Sequence, residues 1–299
     1  MSMRVDRRRF LELGGTVAVG LGLGGPAAVW AAEKLTAGAP HAEKLGWHLG
    51  IQAWSFNRYS FFEAIEKTNQ LNLRYIEAFP NQVLDKNRGD AKIGPDASAK
   101  TRKAIKKRLA DAGIKLVNYG VCPLSKNEAT SRKTFDFAAD MGIETLVSEP
   151  AFDALDTLEK LCDEYKINLA LHNHPKGHSR YWNPDIVLKV CKGRSKRIGA
   201  CADTGHWVRS GLNPIEQLKK LQGRIISLHF KDLNKYGPGA HDVPWGTGVS
   251  DVKGMLAELY RQKLKAVFSI EYEYHWTSSM PEIAQSVKYF DNVASQLES

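Results

Sequence analysis

The chain is poor in the features that would make its function easy to read. It has four cysteines in 299 residues (Cys122, Cys162, Cys191 and Cys201) and no Cys-x-x-Cys pair. An even count permits disulfides in an oxidising compartment. Cys162 and Cys191, however, sit in apolar helical patterns and Cys201 in a strand pattern, so buried thiols are the expected state. No low-complexity tract and no Ser/Gly linker interrupts the body, which points to one domain. No Gly-rich phosphate turn follows the first strand candidate, which runs instead into Ala53-Trp54-Ser55-Phe56. That argues against an open doubly wound sheet. No basic cluster is dense enough for a nucleic-acid footprint. Lys100–Arg108 is the densest, and its spacing is that of a solvated helix face.

The N-terminus is of a different kind from the rest. Arg4, Arg7, Arg8 and Arg9 form a basic head, followed by an uncharged run from Leu13 to Trp30 with six glycines and a break at Pro26. Six glycines make a poor helix, and the run is short and Gly-rich for a stable membrane span. Arg7-Arg8-Arg9-Phe10-Leu11 resembles a twin-arginine export signal, with cleavage expected near Ala31 and Ala32 or at Ala39. Residues 1–31 are therefore expected to be a signal peptide, residues 32–45 a linker, and residues 46–299 the domain. The implied location is the periplasm or another exported site, with no stable membrane insertion after export. The full chain carries +9, and losing residues 1–31 removes four arginines and two acids, leaving +7.

From Gly46 onward, β-rich runs alternate with amphipathic stretches. Strands are expected at 48–54, 74–79, 115–121, 144–149, 168–174, 198–204, 225–231 and 266–274. Helices are expected at 61–69, 98–112, 128–141, 155–165, 184–191, 214–221, 252–262 and 281–297. Ser98 and Asp251 are suitable N-caps, and Gly113 and Gly142 suitable helix-ending residues. Eight strands alternating with eight helices predict an α/β fold with a parallel sheet, closed as a (β/α)8 TIM barrel whose site lies where the strands end.

Those ends are unusually polar. Strand four ends in Ser148-Glu149-Pro150, strand five in His172-Asn173-His174, strand six in Asp203-Thr204-Gly205-His206. Strand seven ends in His229-Phe230-Lys231-Asp232 and strand eight in Glu271-Tyr272-Glu273-Tyr274-His275. Strand period places His172 with His174, His229 with Lys231, and Glu271 with Glu273 on one face. Any one of these is explained by a hydrogen-bonded polar strand end. Five neighbouring strands ending this way are better explained by a shared cation, because clustered carboxylates are costly to bury without one. Mixed imidazole and carboxylate donors suit one divalent manganese, zinc, iron or cobalt ion.

These motifs resemble the xylose isomerase-like TIM barrel superfamily. The resemblance is to its sugar (phosphate) isomerase/epimerase branch, which includes 3-keto-glycoside lyase-like members, and it extends to the AP endonucleases. It covers roughly the whole mature chain. Cys201-Ala202-Asp203-Thr204-Gly205-His206 and Leu228-His229-Phe230-Lys231-Asp232 carry it most specifically. Gly46–Phe56 resembles the usual first strand, and Asp242–Gly248 the long seventh loop. Carried over by position, the resemblance implies metal ligation by His172, Asp203, His229 and Glu271, and contact of His206 with a substrate oxygen. The family usually has glutamate, also a catalytic base, where this chain has His172. Glu149 at the neighbouring strand end is expected to supply that carboxylate, as ligand or base; the plain alternative is a structural Glu-Pro turn.

The chemistry the resemblance implies is proton abstraction next to a sugar carbonyl through a metal-stabilised enediolate. Return of the proton to the adjacent carbon gives isomerisation, return to the opposite face epimerisation. A leaving group β to the carbonyl gives β-elimination, the lyase alternative. Export and the lack of a phosphate cradle favour a non-phosphorylated sugar or glycoside. Trp54, Trp182, Trp207, Trp245 and Trp276 crowd the expected mouth, with Trp54, Trp207 and Trp245 the chosen sugar contacts. Glu149, Glu271, His174 and Lys231 are the candidate catalytic groups. For Lys231 the alternative is a salt bridge to Glu273. Two other classes fit the sequence less well. A nuclease needs further ligands on early strands, which here end in Glu77 and Tyr119, and a non-catalytic sugar-binding barrel does not need four metal donors. No nucleic-acid partner is expected, and homo-oligomerisation is left open.

Overall fold

All eight apolar runs form strands in a computed structural model, which describes residues 34–298. They are β1 (Trp47–Gln52), β2 (Tyr75–Ala78), β3 (Lys115–Tyr119), β4 (Thr145–Ser148), β5 (Asn168–His172), β6 (Ile198–Asp203), β7 (Ile225–Phe230) and β8 (Ala266–Ile270). Each pairs in parallel with its neighbours in sequence, and β1 pairs with β8 from Trp47 opposite Ala266 to Ile51 opposite Ile270, closing the barrel. That closure replaces the open sheet with the TIM barrel. The expected export signal at 1–31 lies outside the described residues. Among the described residues no helix is long and apolar enough to cross a membrane.

The outer layer is α1 (Pro40–Lys44), α2 (Phe61–Gln70), α3 (Ala99–Ala112), α4 (Glu128–Met141), α5 (Leu155–Tyr165), α6 (Pro184–Cys191), α7 (Thr204–Arg209), α8 (Pro214–Lys220), α9 (Val252–Arg261) and α10 (Met280–Glu298). Local chemistry sets their ends. Ser98 accepts from the Thr101 N–H and Asp251 from the Gly254 N–H, each satisfying a donor the helix leaves open. Gly113 and Gly142 close α3 and α4 in the left-handed region, at φ 65° and 72°. Lys106 and Lys107 of the basic stretch pair with Asp140 and Asp111, as a solvated face should. All four cysteines are free and buried.

The linker expected at 32–45 is corrected for its described part. Residues 40–44 form α1, whose N-terminal His41 and Ala42 N–H groups donate to Asp291 Oδ1 of α10 at 2.7 and 3.1 Å. Thr36 and Ala39 are also buried, so this segment packs as part of the domain.

The core between strands and helices is strongly aromatic under β7, β8 and α10. Phe290 lies 5.1 Å from Phe268 and 5.7 Å from Trp47, ring centre to ring centre. Burial of each such ring contributes roughly 1.5–3 kcal/mol, which anchors the last helix where the barrel closes.

Candidate active site

The polar strand ends converge as strand period requires. Four buried side chains, His172, Asp203, His229 and Glu271, each present a donor atom within 4.8 Å of the others. His172 Nε2 is 3.5 Å from Asp203 Oδ2, and His229 Nδ1 is 3.2 Å from Glu271 Oε2. His172 Nε2, His229 Nδ1 and Asp203 Oδ2 are buried and take no well-directed hydrogen bond. Buried polar atoms left in this way are costly, and three of them in one donor set fit a cation-binding role. Two imidazoles and two carboxylates suit a first-row divalent ion.

Both imidazoles are held from behind by carboxylates. His172 Nδ1 is 2.8 Å from Glu149 Oε1, and His229 Nε2 is 2.9 Å from Glu77 Oε1. A proton on the held nitrogen leaves the other nitrogen's lone pair for a cation. Asp203 and Glu149 raise His172 to about 9 against the opposite pull of burial, so a cation at Nε2 would compete with a proton there. Glu77 gathers three further donors: Gln52 Nε2 at 3.0 Å, Asn118 Nδ2 at 3.2 Å and Ser269 Oγ at 2.7 Å.

Glu149 stands behind the four-residue donor set, and with His172 and His174 it forms a second group whose possible ligand atoms lie within 4.8 Å of one another. Its Oε1 serves His172 Nδ1, the nitrogen facing away from the other donors, and His174 Nδ1 at 2.5 Å, and it accepts from the His174 N–H at 3.1 Å. It is a buttress behind two imidazoles. It is also more than a Glu-Pro turn, since its carboxylate is held well below the usual range by those two histidines despite burial.

Lys231 is held by carboxylates in turn. Its ammonium is fully buried, 2.6 Å from Glu271 Oε2, 2.8 Å from Glu273 Oε2 and 3.0 Å from Asp203 Oδ2. The three carboxylates hold its pKa above the ordinary lysine value despite burial. The same pairing, with His172 beside Asp203 and His229 beside Glu271, keeps Asp203 and Glu271 well below the usual carboxylate range although burial works the other way. Lys231 thus neutralises the donor set from within and does not line the cavity, so the salt bridge weighed against its proton-donor role is the observed state.

The Cys201–His206 motif explains itself residue by residue. Asp203 caps α7, accepting from the His206 N–H at 2.7 Å through Oδ1 and so leaving Oδ2 to the site. Thr204 Oγ1 accepts from the Lys231 N–H at 2.9 Å and lies 3.1 Å from its carbonyl oxygen. Gly205 leaves room for the Lys231 stem; a Cβ there would lie 2.7 Å from Lys231 Cδ. Arg209 Nη1 donates toward His206 Nδ1 at 3.1 Å and to Glu273 at 2.7 Å, while its Nη2 meets Asp242 at 3.0 Å. With Arg209 on Nδ1, His206 carries its proton on Nε2. Burial and the charges of Lys231, His172 and Arg209 keep it neutral. Burial pushes Asp242 up to about 7 against the pull of Lys231 and Arg209.

Above the donors lies a cavity of about 330 Å³. One wall is polar: His172, His174, His206, Glu271 and Glu273. The other is largely apolar: Trp54, Phe79, Pro80, Val121 and Pro123, with Gln52 and Gly120. Of the three tryptophans chosen as sugar contacts, only Trp54 lines it. Trp207 and Trp245 are corrected to core residues, 1% and 2% exposed. Trp207 follows His206 in a helix, and one step of about 100° turns it from the cavity to the packed side. Trp245 packs 5.0 Å from Phe230 and 5.6 Å from Phe290. Trp182 lines a separate open hollow with Glu149, His178 and Arg180. Glu77, Gln52, Arg209 and Asp242 were not anticipated; the lone acid in the otherwise apolar Tyr75-Ile76-Glu77-Ala78 was the available signal.

The family model described as "Xylose isomerase-like TIM barrel" matches residues 65–293. Among solved structures, an uncharacterized protein from Parabacteroides distasonis ATCC 8503 is 34% identical, over 83% of this chain and 99% of that one, with a TM-score of 0.67. A D-tagatose 3-epimerase-like protein is 19% identical, over 84% and 100%, at 0.66. A protein named IOLI, solved with a bound zinc atom, is 17% identical, over 83% and 98%, at 0.63. The last two show likeness of fold. A curated relative, the uncharacterized protein y4fM of Sinorhizobium fredii, is 26% identical over 89 residues, which span 29% of its length and 30% of this chain.

Proposed function

The chain belongs to the xylose isomerase-like TIM barrel family, and on that premise we propose that it is a divalent-metal-dependent enzyme of the sugar isomerase/epimerase type. It abstracts a proton next to a carbonyl of a non-phosphorylated sugar. The observation that carries this reading is the convergence of four buried donor side chains, three of whose atoms take no well-directed hydrogen bond, under a cavity that shares His172 and Glu271 with them. His172, Asp203, His229 and Glu271 would hold the ion, which is manganese, zinc, iron or cobalt by donor type. When bound, it supplies Lewis acidity toward the sugar oxygens beside the reacting carbon.

The remaining work belongs to the chain's own groups. Glu271, ionised, and His174, whose Nδ1 is fixed by Glu149, both line the cavity from strand ends three strands apart. One takes the carbon-bound proton and the other returns it or serves an oxygen. Neutral His206 donates from Nε2 to a substrate oxygen. The Trp54 and Phe79 wall suits the apolar face of a sugar ring and excludes water from it. Among the described residues lining the cavity there is no lysine or arginine of the kind that clamps a phosphate, which supports a non-phosphorylated sugar. The presence of His174 and His206 as two oxygen-directed groups favours a second reading, β-elimination from a 3-keto-glycoside, over a non-catalytic barrel or a nuclease. The partner is a small sugar or glycoside. The proposal includes export, supported by Arg7-Arg8-Arg9-Phe10-Leu11 and testable by cell fractionation.

The test is elemental analysis of the purified protein, then incubation with free ketoses and 3-keto-glycosides, with and without chelator. About one divalent ion per chain and chelator-sensitive conversion are expected. Product identity separates epimerisation from aglycone release. A metal-free protein that converts these sugars, or a metal-loaded one that converts none, overturns the reading.

A further inference from the structure

We propose that the aromatic rim over β8, β1 and β2 is a subsite for a second ring, so that the substrate is a glycoside whose sugar ring carries the carbonyl, rather than a free monosaccharide. This rests on the reading above that the cavity takes a sugar ring. The cavity, about 330 Å³, is at the small end for ligand sites and accommodates about one ring. Aromatic surface continues beyond it. Trp54 is 39% exposed, although its neighbours Ala53, Ser55 and Phe56 in the same short turn are buried. Its indole meets Phe79 edge-to-face at 5.0 Å and 88°, and Trp276 at 6.4 Å and 82°. Phe79 lines the cavity, whereas Trp276 lies outside the lining. Next along the chain, Tyr274 is 37% exposed, with its ring 4.0 Å from that of His275 and 4.1 Å from that of His241.

This surface is built, not merely left over. Gln52 accepts from the Trp54 N–H at 3.0 Å and donates to Glu77, tying the Trp54 turn to the carboxylate behind His229. Ser55 Oγ donates to the Ile270 carbonyl at 3.1 Å and accepts from the Tyr272 N–H at 2.8 Å, pinning that turn to the segment that carries Tyr274 and Trp276. An exposed Trp54 flanked by the half-buried Phe79 and Trp276 at a cavity mouth is the kind of apolar surface that marks a ligand contact. A flat ring with apolar faces, joined through a glycosidic oxygen to the sugar below, is the ligand chemistry that fits.

The experiment uses the metal-loaded full chain and matched methyl and phenyl β-glycosides of glucose, galactose and xylose, with binding followed by calorimetry. For at least one sugar the phenyl glycoside should bind about 10-fold more tightly than the methyl glycoside, the size of one added aromatic contact. Trp276→Ala should bring the pair to within about 2-fold by weakening only the phenyl member, and Trp276→Phe should keep most of the preference. Equal binding of every pair to the unmodified protein overturns the subsite. So does an equal loss of both members in Trp276→Ala, which would mark a role in shaping the cavity. If glycosides fail to bind while free ketoses are converted, the subsite falls and the proposed function stands; if neither occurs, both fall.

Discussion

Replacing Glu77 with glutamine removes one negative charge from the centre of the barrel while nearly preserving its shape. Glu77 Oε1 accepts from His229 Nε2 and Gln52 Nε2, and Oε2 from Asn118 Nδ2 and Ser269 Oγ. A glutamine carbonyl placed as Oε1 keeps the first two bonds. Its amide then faces Ser269, whose hydroxyl can turn to accept, and Asn118, whose unpartnered buried Oδ1 becomes an acceptor if that amide flips. The hydrogen-bond count survives, so the stability cost is the difference between charged and neutral bonds, about 1 kcal/mol. The cost to metal binding is larger. His229 loses the carboxylate that makes Nδ1 a strong donor, and such losses weaken metal affinity by about 10–100-fold, or roughly 1.4–2.7 kcal/mol. Calorimetric titration of zinc or cobalt into the chelator-stripped protein, with urea unfolding of the same samples, reads both quantities. Unchanged metal affinity in Glu77→Gln would refute the orienting role. A stability loss above about 3 kcal/mol with unchanged affinity would make Glu77 a purely structural knot.

Asp203→Asn should remove most bound metal and turnover while leaving the fold, because the amide oxygen can still cap the His206 N–H; a variant with full metal content and activity would sink the site. Glu149→Gln should depress turnover per folded molecule far more than the thermal midpoint, since its carbonyl can keep the bonds to His172 and His174 but no longer supplies the negative charge that polarises both rings. If the midpoint falls and turnover does not, the buttress is structural only. Trp245→Ala should cost about 3–5 kcal/mol in urea unfolding through a cavity beside Phe230 and Phe290, with KM unchanged. A raised KM at unchanged stability would return Trp245 to the substrate.

What the sequence made legible, and what it did not, divides along the strands. On a strand, alternation fixes which side chains share a face. Alternation could therefore group His172 with His174, His229 with Lys231 and Glu271 with Glu273 before any coordinates, while the set His172, Asp203, His229 and Glu271 came from the family resemblance. The strand lengths were overreached at the mouth, by two residues at His174 and four at Tyr274, because those polar tails keep β-like composition after leaving the ladder to line the cavity. Off the strands, direction is set by packing that local pattern does not encode. α7 is six residues long and contains Gly205, too short for a helical period to show, and without it the pattern does not tell that His206 and Trp207 face different ways. α1, five residues behind a proline, is too short to show a period. Glu77 is the informative middle case. Alternation within β2 could have pointed it inward, but its partner His229 lies 152 residues away and is brought to it only by closure of the barrel. The polar strand ends of this site are thus written in local pattern, while the carboxylates behind its two imidazoles are written in topology. A reading that stops at strand ends finds the polar groups of the mouth but not which of them, like Glu77, stands behind another.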